Sequence, residues 1–416
     1  MFVSLKKVWK KLGPGLITGS SDDDPSGIAT YSQAGAQFGL TTLWTALFTF
    51  PLMASIQEMC ARIGIVTSMG LTGTIKKHYS KKILYLLLIF STPAIIFNIG
   101  ADIAGMGAVG NMLFPKIDAA FFSIFFTIIL IMGIVYFPYK KIASILKYLC
   151  IVLLVYLIVP FLYKQDLGYI LKSAVMPNIH FNKEFISILV GLLGTTISPY
   201  LFFWQANMEA EEMKQQKKII IDKKLMSEMK YDIDFGMFFS NVVMFFIILT
   251  TGTVLFSSNF HQIETVEDAA KALEPLAGKA ASLLFSIGII GTGFLAIPVL
   301  SGSLSYMYCE TFGWKDGLDK KFYEAKAFYF IIVISLIMGL AVNYIGLSPM
   351  TTLLNAAILY GLTAPVIIGI ILHICNNKSV MGKFINSVKS NILGFITLIL
   401  MAIASVLLLY FVFISD

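Results

Sequence analysis

An all-α integral membrane fold of about eleven spanning helices is what this sequence predicts, and three observations carry the expectation. Of 416 residues, 57% are hydrophobic and only 13% are charged, too little polar surface to cover a soluble domain of that size. The apolar residues fall in long runs, and about 18 are enough to cross a hydrocarbon core of roughly 30 Å. Two of the runs are broken by proline and polar residues at corresponding places, which a simple anchor would not need.

Hydropathy and loop punctuation put the spans near 13–38, 41–61, 83–114, 119–138, 142–163, 185–207, 233–256, 280–309, 325–343, 347–374 and 391–414. Of the 31 lysines and arginines, 25 fall on one side when the spans alternate and 6 on the other. By the positive-inside rule the N-terminus is then cytoplasmic, and an odd number of spans leaves Asp416 outside. The net charge of +7 therefore reads as a membrane-orientation signal and not as a nucleic-acid surface. The lysines at 6, 7, 10 and 11 precede an apolar run without a small-residue cleavage site, so no cleaved signal peptide is expected. Cys60, Cys150, Cys309 and Cys375 have no CxxC spacing and read as packing residues.

The first span contains SSDDDPSGIA and the sixth GTTISPYLFF. Proline removes a backbone donor and disfavours helix at the residue before it. Freed backbone groups at that depth are tolerated only around an enclosed or wet cavity. Pro25 and Pro199 lie 174 residues apart, with five spans beginning at each. Matched interruptions imply a 5+5 inverted repeat with its binding site at the bilayer midplane. A single transmembrane domain over 1–416 then divides into a first repeat at 1–163, a second at 185–374 and an additional helix at 391–414.

Asp22, Asp23 and Asp24 sit well inside the first span, where one carboxylate costs about 2.5–3.5 kcal/mol or more. Three in succession point in different directions and cannot all be direct ligands. Asp24, beside the break, is the expected ligand, while Asp22, Asp23 and neighbouring Ser26 line the path or hold the ion's waters. In the sixth span Thr195 and Ser198 offer hydroxyl oxygens, although such groups commonly bond back to their own helix. All these donors are oxygens, which suits a hard cation such as magnesium; thioether, thiolate and imidazole favour softer metals. In span three, Asp102 with Asn98 one turn before it reads as a second shell, a proton site or a structural acid. Glu58 and Arg62 are spaced to pair as structure or gate, and 209–230 reads as a charged cytoplasmic loop. His78, His180, His261 and His373 lie in loops or at span ends.

Along most of its length the chain resembles the Nramp family of divalent-metal transporters. GPGLITGSSDDDPSG is similar to that family's GPG…DPGN segment, ARIGIVTSMG to its ARLGVVTG, ADIAG to its DLAE pattern, and GTTISPY to its ATIMPH. The resemblance implies a LeuT-type fold with the ion between spans one and six. The departures are chemical. The family's metal-binding Asn is Gly27, which offers only backbone, its Met is Ser198, and its Ala is Thr195. The His after the proline is Tyr200, the Glu of DLAE is Gly105, and the arginine usual in span nine is missing. These changes resemble the Nramp-related magnesium transporters, in which a wider site binds a largely hydrated ion without evident proton coupling.

The expectation is thus a monomeric, multi-pass transporter of the cell membrane, not an enzyme. It needs no cofactor and no nucleic acid; its partners are the lipid bilayer and a divalent ion, Mg²⁺ first and Mn²⁺ second. Proton-coupled Mn²⁺ or Fe²⁺ uptake is the main alternative. A sodium-coupled amino-acid carrier is disfavoured by three acids beside the cavity. An intramembrane aspartyl protease built on Asp24 and Asp102 lacks the GxGD pattern.

Overall fold

Apolar runs in hydrocarbon must close their own backbone hydrogen bonds, which only helices do within one segment. The computed structural model describes residues 13–137, 156–163, 166–215, 221–344 and 346–414, and among them it contains helices and no strand. In chain order the main helices are α1 (Pro14–Asp22), α2 (Pro25–Phe38), α3 (Trp44–Thr67), α4 (Leu71–His78), α5 (Lys81–Leu113), α6 (Ala119–Tyr136) and α7 (Leu167–Val175). They continue with α8 (Lys183–Thr196), α9 (Pro199–Gln215), α10 (Lys223–Val254), α11 (Ala281–Phe312), α12 (Lys326–Val342), α13 (Pro349–Asn376) and α14 (Val388–Phe413). Among the described residues seven stretches are long and apolar enough to cross a membrane: α5, α6, the α8–α9 pair, α10, α11, α13 and α14. Of the span expected at 142–163, residues 142–155, with Cys150, lie outside the described residues.

Both expected breaks are present and share one local design. α1 stops at Asp22, Asp23 leaves the helix at φ −83°, ψ 56°, and Pro25 starts α2. α8 stops at Thr196, Ile197 leaves it at φ −106°, ψ 59°, and Pro199 starts α9. In each case two residues separate the half-helices and proline takes the first helical position, where its missing N–H costs nothing.

Close backbone contact draws the broken helices into the bundle. α1 and α2 both pack on α10, α8 packs on α13, and α9 packs on α3 and α11. A β-carbon on Gly19 would lie 2.2 Å from the Gly236 carbonyl oxygen, and one on Gly236 would lie 2.2 Å from that of Gly15. α1 therefore touches α10 backbone to backbone, as small residues allow in membrane bundles. The α8–α9 pair is enclosed by protein almost throughout, whereas α6 and α14 are mostly open. Their outer faces carry Phe121, Ile128, Phe395 and Ile399, a lipid-facing apolar surface.

One expectation needs correction. The described parts of 209–230 are largely helix, since α9 runs on to Gln215 and α10 begins at Lys223, while Asp222, Lys223, Lys224, Glu228 and Lys230 are exposed as expected. The segment's first acids are helical and enclosed. Glu209 is 6% exposed and accepts from Gln205 Nε2 at 2.9 Å, and Glu211 accepts from Tyr306 OH at 2.7 Å. Charge density alone suggested water, but tertiary hydrogen bonds satisfy these carboxylates inside the protein.

Candidate metal site

The two breaks meet. Gly27, in the first turn of α2, has bare backbone facing both: a β-carbon there would lie 3.1 Å from Thr195 Oγ1 and 3.4 Å from both the Asp22 carbonyl oxygen and Asp24 Oδ1. Three oxygens from two half-helix pairs thus converge at one point. The Asp22 carbonyl is available because the break leaves it without the usual amide four residues on. The C-terminal ends of α1 and α8 both face this region, and helix C-termini carry partial negative charge that favours a cation.

Asp24 caps the N-terminus of α2. Its Oδ1 accepts from the Gly27 amide at 2.7 Å and from Ser26 Oγ at 2.8 Å, and its Oδ2 accepts from Asn98 Nδ2 at 2.9 Å. Oδ1 thus uses both of its lone-pair sites and Oδ2 keeps one, and the three donors fix the carboxylate's direction. Asp22 and Asp23 share one donor from α10: Ser240 Oγ lies 2.8 Å from Asp22 Oδ2 and 3.2 Å from Asp23 Oδ1. Asp22 Oδ1 has no hydrogen-bond partner among the described residues, nor have the two oxygens of Asp102, although the Ser26 amide faces that carboxylate. All four aspartates are at most 1% exposed.

Arg62–Glu58, Lys230–Asp234 and Lys271–Asp268 form ion pairs, and among the described residues no cation pairs with Asp22, Asp23, Asp24 or Asp102. A buried carboxylate without a counter-charge is strongly unfavourable. Nor do three acidic, histidine or cysteine side chains assemble there into a cage. The carboxylates are instead oriented singly around the break by the donors described above.

The α8 side is mixed. Thr195 Oγ1 points toward Gly27, whereas Ser198 Oγ donates back to the Thr195 and Gly194 carbonyls and lies beside the Asp22 carboxylate. Thr196 Oγ1 donates to the Leu192 carbonyl at 2.6 Å and approaches Met244 Sδ at 3.5 Å. Tyr200 reaches across the junction and donates to the Ser21 carbonyl at 2.8 Å, tying α9 to α1. Gly105 lies against Leu353 and Pro25, so the position is at the break and holds no acid.

Three neighbours were not singled out from sequence. Ser240 and Asn241 form a polar pair inside the apolar run GMFFSNVVMFF, and that pair was the available signal. Tyr360 on α13 stacks near Tyr200 with ring centroids 5.5 Å apart; nothing in NAAILYGLTAP distinguishes it from core. Asp232 lies in α10 and caps α1, accepting from the Gly13 amide at 2.9 Å and the Gly15 amide at 2.7 Å. Farther off, Arg62 pairs with Glu58 at 3.0 Å as their spacing suggested, and also donates to the Phe384 carbonyl and Asn386 Oδ1.

Two half-helix pairs meeting at an oxygen-lined point inside an apolar bundle are the arrangement of a membrane transporter. The chain belongs to the Nramp family: the family profile described as natural resistance-associated macrophage protein-like matches residues 15–411. Among relatives, it is 25% identical over 415 residues to the divalent metal cation transporter MntH of Caldanaerobacter subterraneus subsp. tengcongensis, covering 98% of this chain and 94% of the other. It is also 25% identical to the protein of the same name from Clostridium acetobutylicum, over 99% of this chain and 93% of that one. The fold is shared with the manganese transporter of Eremococcus coleocola at a TM-score of 0.74 and 18% identity, covering 99% and 88% of the two chains. It is shared more distantly with Mhp1, a nucleobase-cation-symport-1 family transporter, at a TM-score of 0.60, 12% identity and coverage of 97% and 94%.

Proposed function

We propose that this chain is a divalent metal cation transporter of the cell membrane whose preferred cargo is largely hydrated Mg²⁺, with Mn²⁺ also accepted, moved without proton coupling. The observation that carries this reading is the group of buried aspartates with no cation paired to them among the described residues, gathered where two helix breaks expose oxygen donors. Magnesium takes oxygen ligands and gives up water reluctantly. In this reading Asp24, the Gly27 backbone, Thr195 and Ser198 face the ion or its inner waters. Asp22, Asp23, Ser26, Asn98, Asp102 and Tyr200 orient those groups or line the path.

Both interrupted helices come from one chain, so a monomer suffices. With the lysine-rich end cytoplasmic, the membrane potential favours entry of a dication by about 2.3 kcal/mol per charge per 100 mV. Tyr200 and Gly105 stand where the family places groups linked to proton movement, a phenol in place of an imidazole and a bare backbone in place of a carboxyl.

The second reading is proton-coupled Mn²⁺ transport, favoured by the structural relative's being a manganese transporter and by the Met244 thioether near the α8 break. Proteoliposome uptake of Mg²⁺, Mn²⁺ and Ca²⁺, with and without a pH gradient, separates the two. Voltage-driven Mg²⁺ entry with no change in internal pH, lost in Asp24→Ala, is expected. Obligatory acidification, or potent block by Cd²⁺ of a Mn²⁺-only flux, would establish the second reading instead.

A further inference from the structure

At the end of the bundle that carries α3's C-terminus and α14's N-terminus lies a cavity of about 550 Å³, well away from the helix breaks. Its lining follows α3 along one face, from Arg62 through Glu58, Ser55, Ala54 and Pro51 to Phe50. Twelve residues of helix span about 18 Å, slightly more than one leaflet of a roughly 30 Å hydrocarbon core. The composition changes along that length. Near Arg62 the walls are Lys230 and Asp234 of α10 and Ser387, Lys389 and Ser390 around the start of α14; toward Phe50 they are apolar, with Leu393 opposite.

Charge accounting identifies what the polar end lacks. Arg62 is taken by Glu58, and Lys230 lies 3.8 Å from Asp234. Lys389 has no ion-pair partner among the described residues and is exposed. Beside it, Ser387 caps α14 by accepting from the Ser390 amide at 3.1 Å, which leaves the Val388 and Lys389 amides free to face an anion. One free cation and a helix N-terminus at headgroup depth, continuing into an apolar groove that opens to lipid, match a phosphate followed by an acyl chain. A free phosphate would have no use for the apolar length, and a peptide would need acceptors for its backbone.

We propose that this groove is a binding site for an anionic phospholipid, with the phosphate held by Lys389 and the first turn of α14 and one acyl chain laid along α3 toward Phe50. The lipid would join α3, α10 and α14 at their lysine-rich ends. The test uses the purified full-length protein in detergent, native mass spectrometry, and thermal unfolding with added phosphatidylglycerol, phosphatidylcholine of the same chains, or inorganic phosphate. Wild type is expected to retain phosphatidylglycerol at least tenfold better than phosphatidylcholine, and to unfold at higher temperature with phosphatidylglycerol alone. Lys389→Glu, an exposed change, and Ala54→Leu, which fills the groove, should each remove that preference, while Lys326→Glu should not. Equal retention of the two lipids, protection by inorganic phosphate alone, or full retention in Lys389→Glu with Ala54→Leu would overturn the proposal.

Discussion

The Asp24 carboxylate is held by three donors, so its position is set before any ion arrives. Removing it takes away a fixed charge and uncaps α2. Asp24→Ala should lower Mg²⁺ uptake into proteoliposomes by about 100-fold, matching the roughly 3 kcal/mol lost when one partner of a buried charge contact is deleted. Gly27 is a finer probe. An added methyl would press on Thr195 Oγ1 at 3.1 Å and occupy the space the oxygens surround. Gly27→Ala should therefore cut Mg²⁺ uptake about tenfold with little change in unfolding temperature, since the crowding is confined to the site. Unchanged uptake in that variant would place the ion elsewhere. Ser240→Ala removes the hydroxyl that Asp22 and Asp23 share, and uptake should fall less than in Asp24→Ala.

At the level of elements, the contact between α1 and α10 decides whether the first half-helix keeps its place. Gly15, Gly19 and Gly236 let the two backbones touch, and Asp232 satisfies two amides at the start of α1. Gly236→Leu leaves no room for its side chain and should cost about 3 kcal/mol or more, read as loss of monodisperse protein in gel filtration. Asp232→Ala leaves two enclosed amides without an acceptor, a loss of about 1–3 kcal/mol. Because α1 bears Asp22 at its other end, that variant should also impair transport, and a drop in unfolding temperature without any transport defect would separate the two roles. The matched pair of breaks was visible in sequence because proline and a polar cluster inside an apolar run leave few structural choices. The contacts that hold each break were not visible, since Asp232 and Ser240 come from a helix some 200 residues later.

On the scale of the whole molecule, the enclosed α8–α9 pair and the outward-facing α6 and α14 give a bundle with a protein-lined centre and a lipid-lined rim. Four buried aspartates at that centre, with no cation paired to them among the described residues, make the interior attractive to a dication, and in the function we propose the membrane potential supplies the direction. Imposing 100 mV, inside negative, should accelerate Mg²⁺ entry, while reversing the pH gradient at fixed voltage should leave the rate within about twofold. A rate that follows the pH gradient at constant voltage would contradict uncoupled transport.

The sequence by itself determined the helical membrane architecture, the two interruptions and the oxygen character of their donors. Those features follow from hydrocarbon length, proline's missing amide and side-chain chemistry, all local properties. It misjudged Glu209 and Glu211, because a run of charges reads as solvated unless one knows that Gln205 and Tyr306 stand ready to bond them. Only the tertiary structure decided that Gly27, Thr195 and Asp22 share one point, that Asn98 steadies Asp24, and that Asp232 closes the start of α1. Convergence of distant segments depends on how helices cross, and backbone contacts through glycine fix that crossing in ways no single stretch of sequence records.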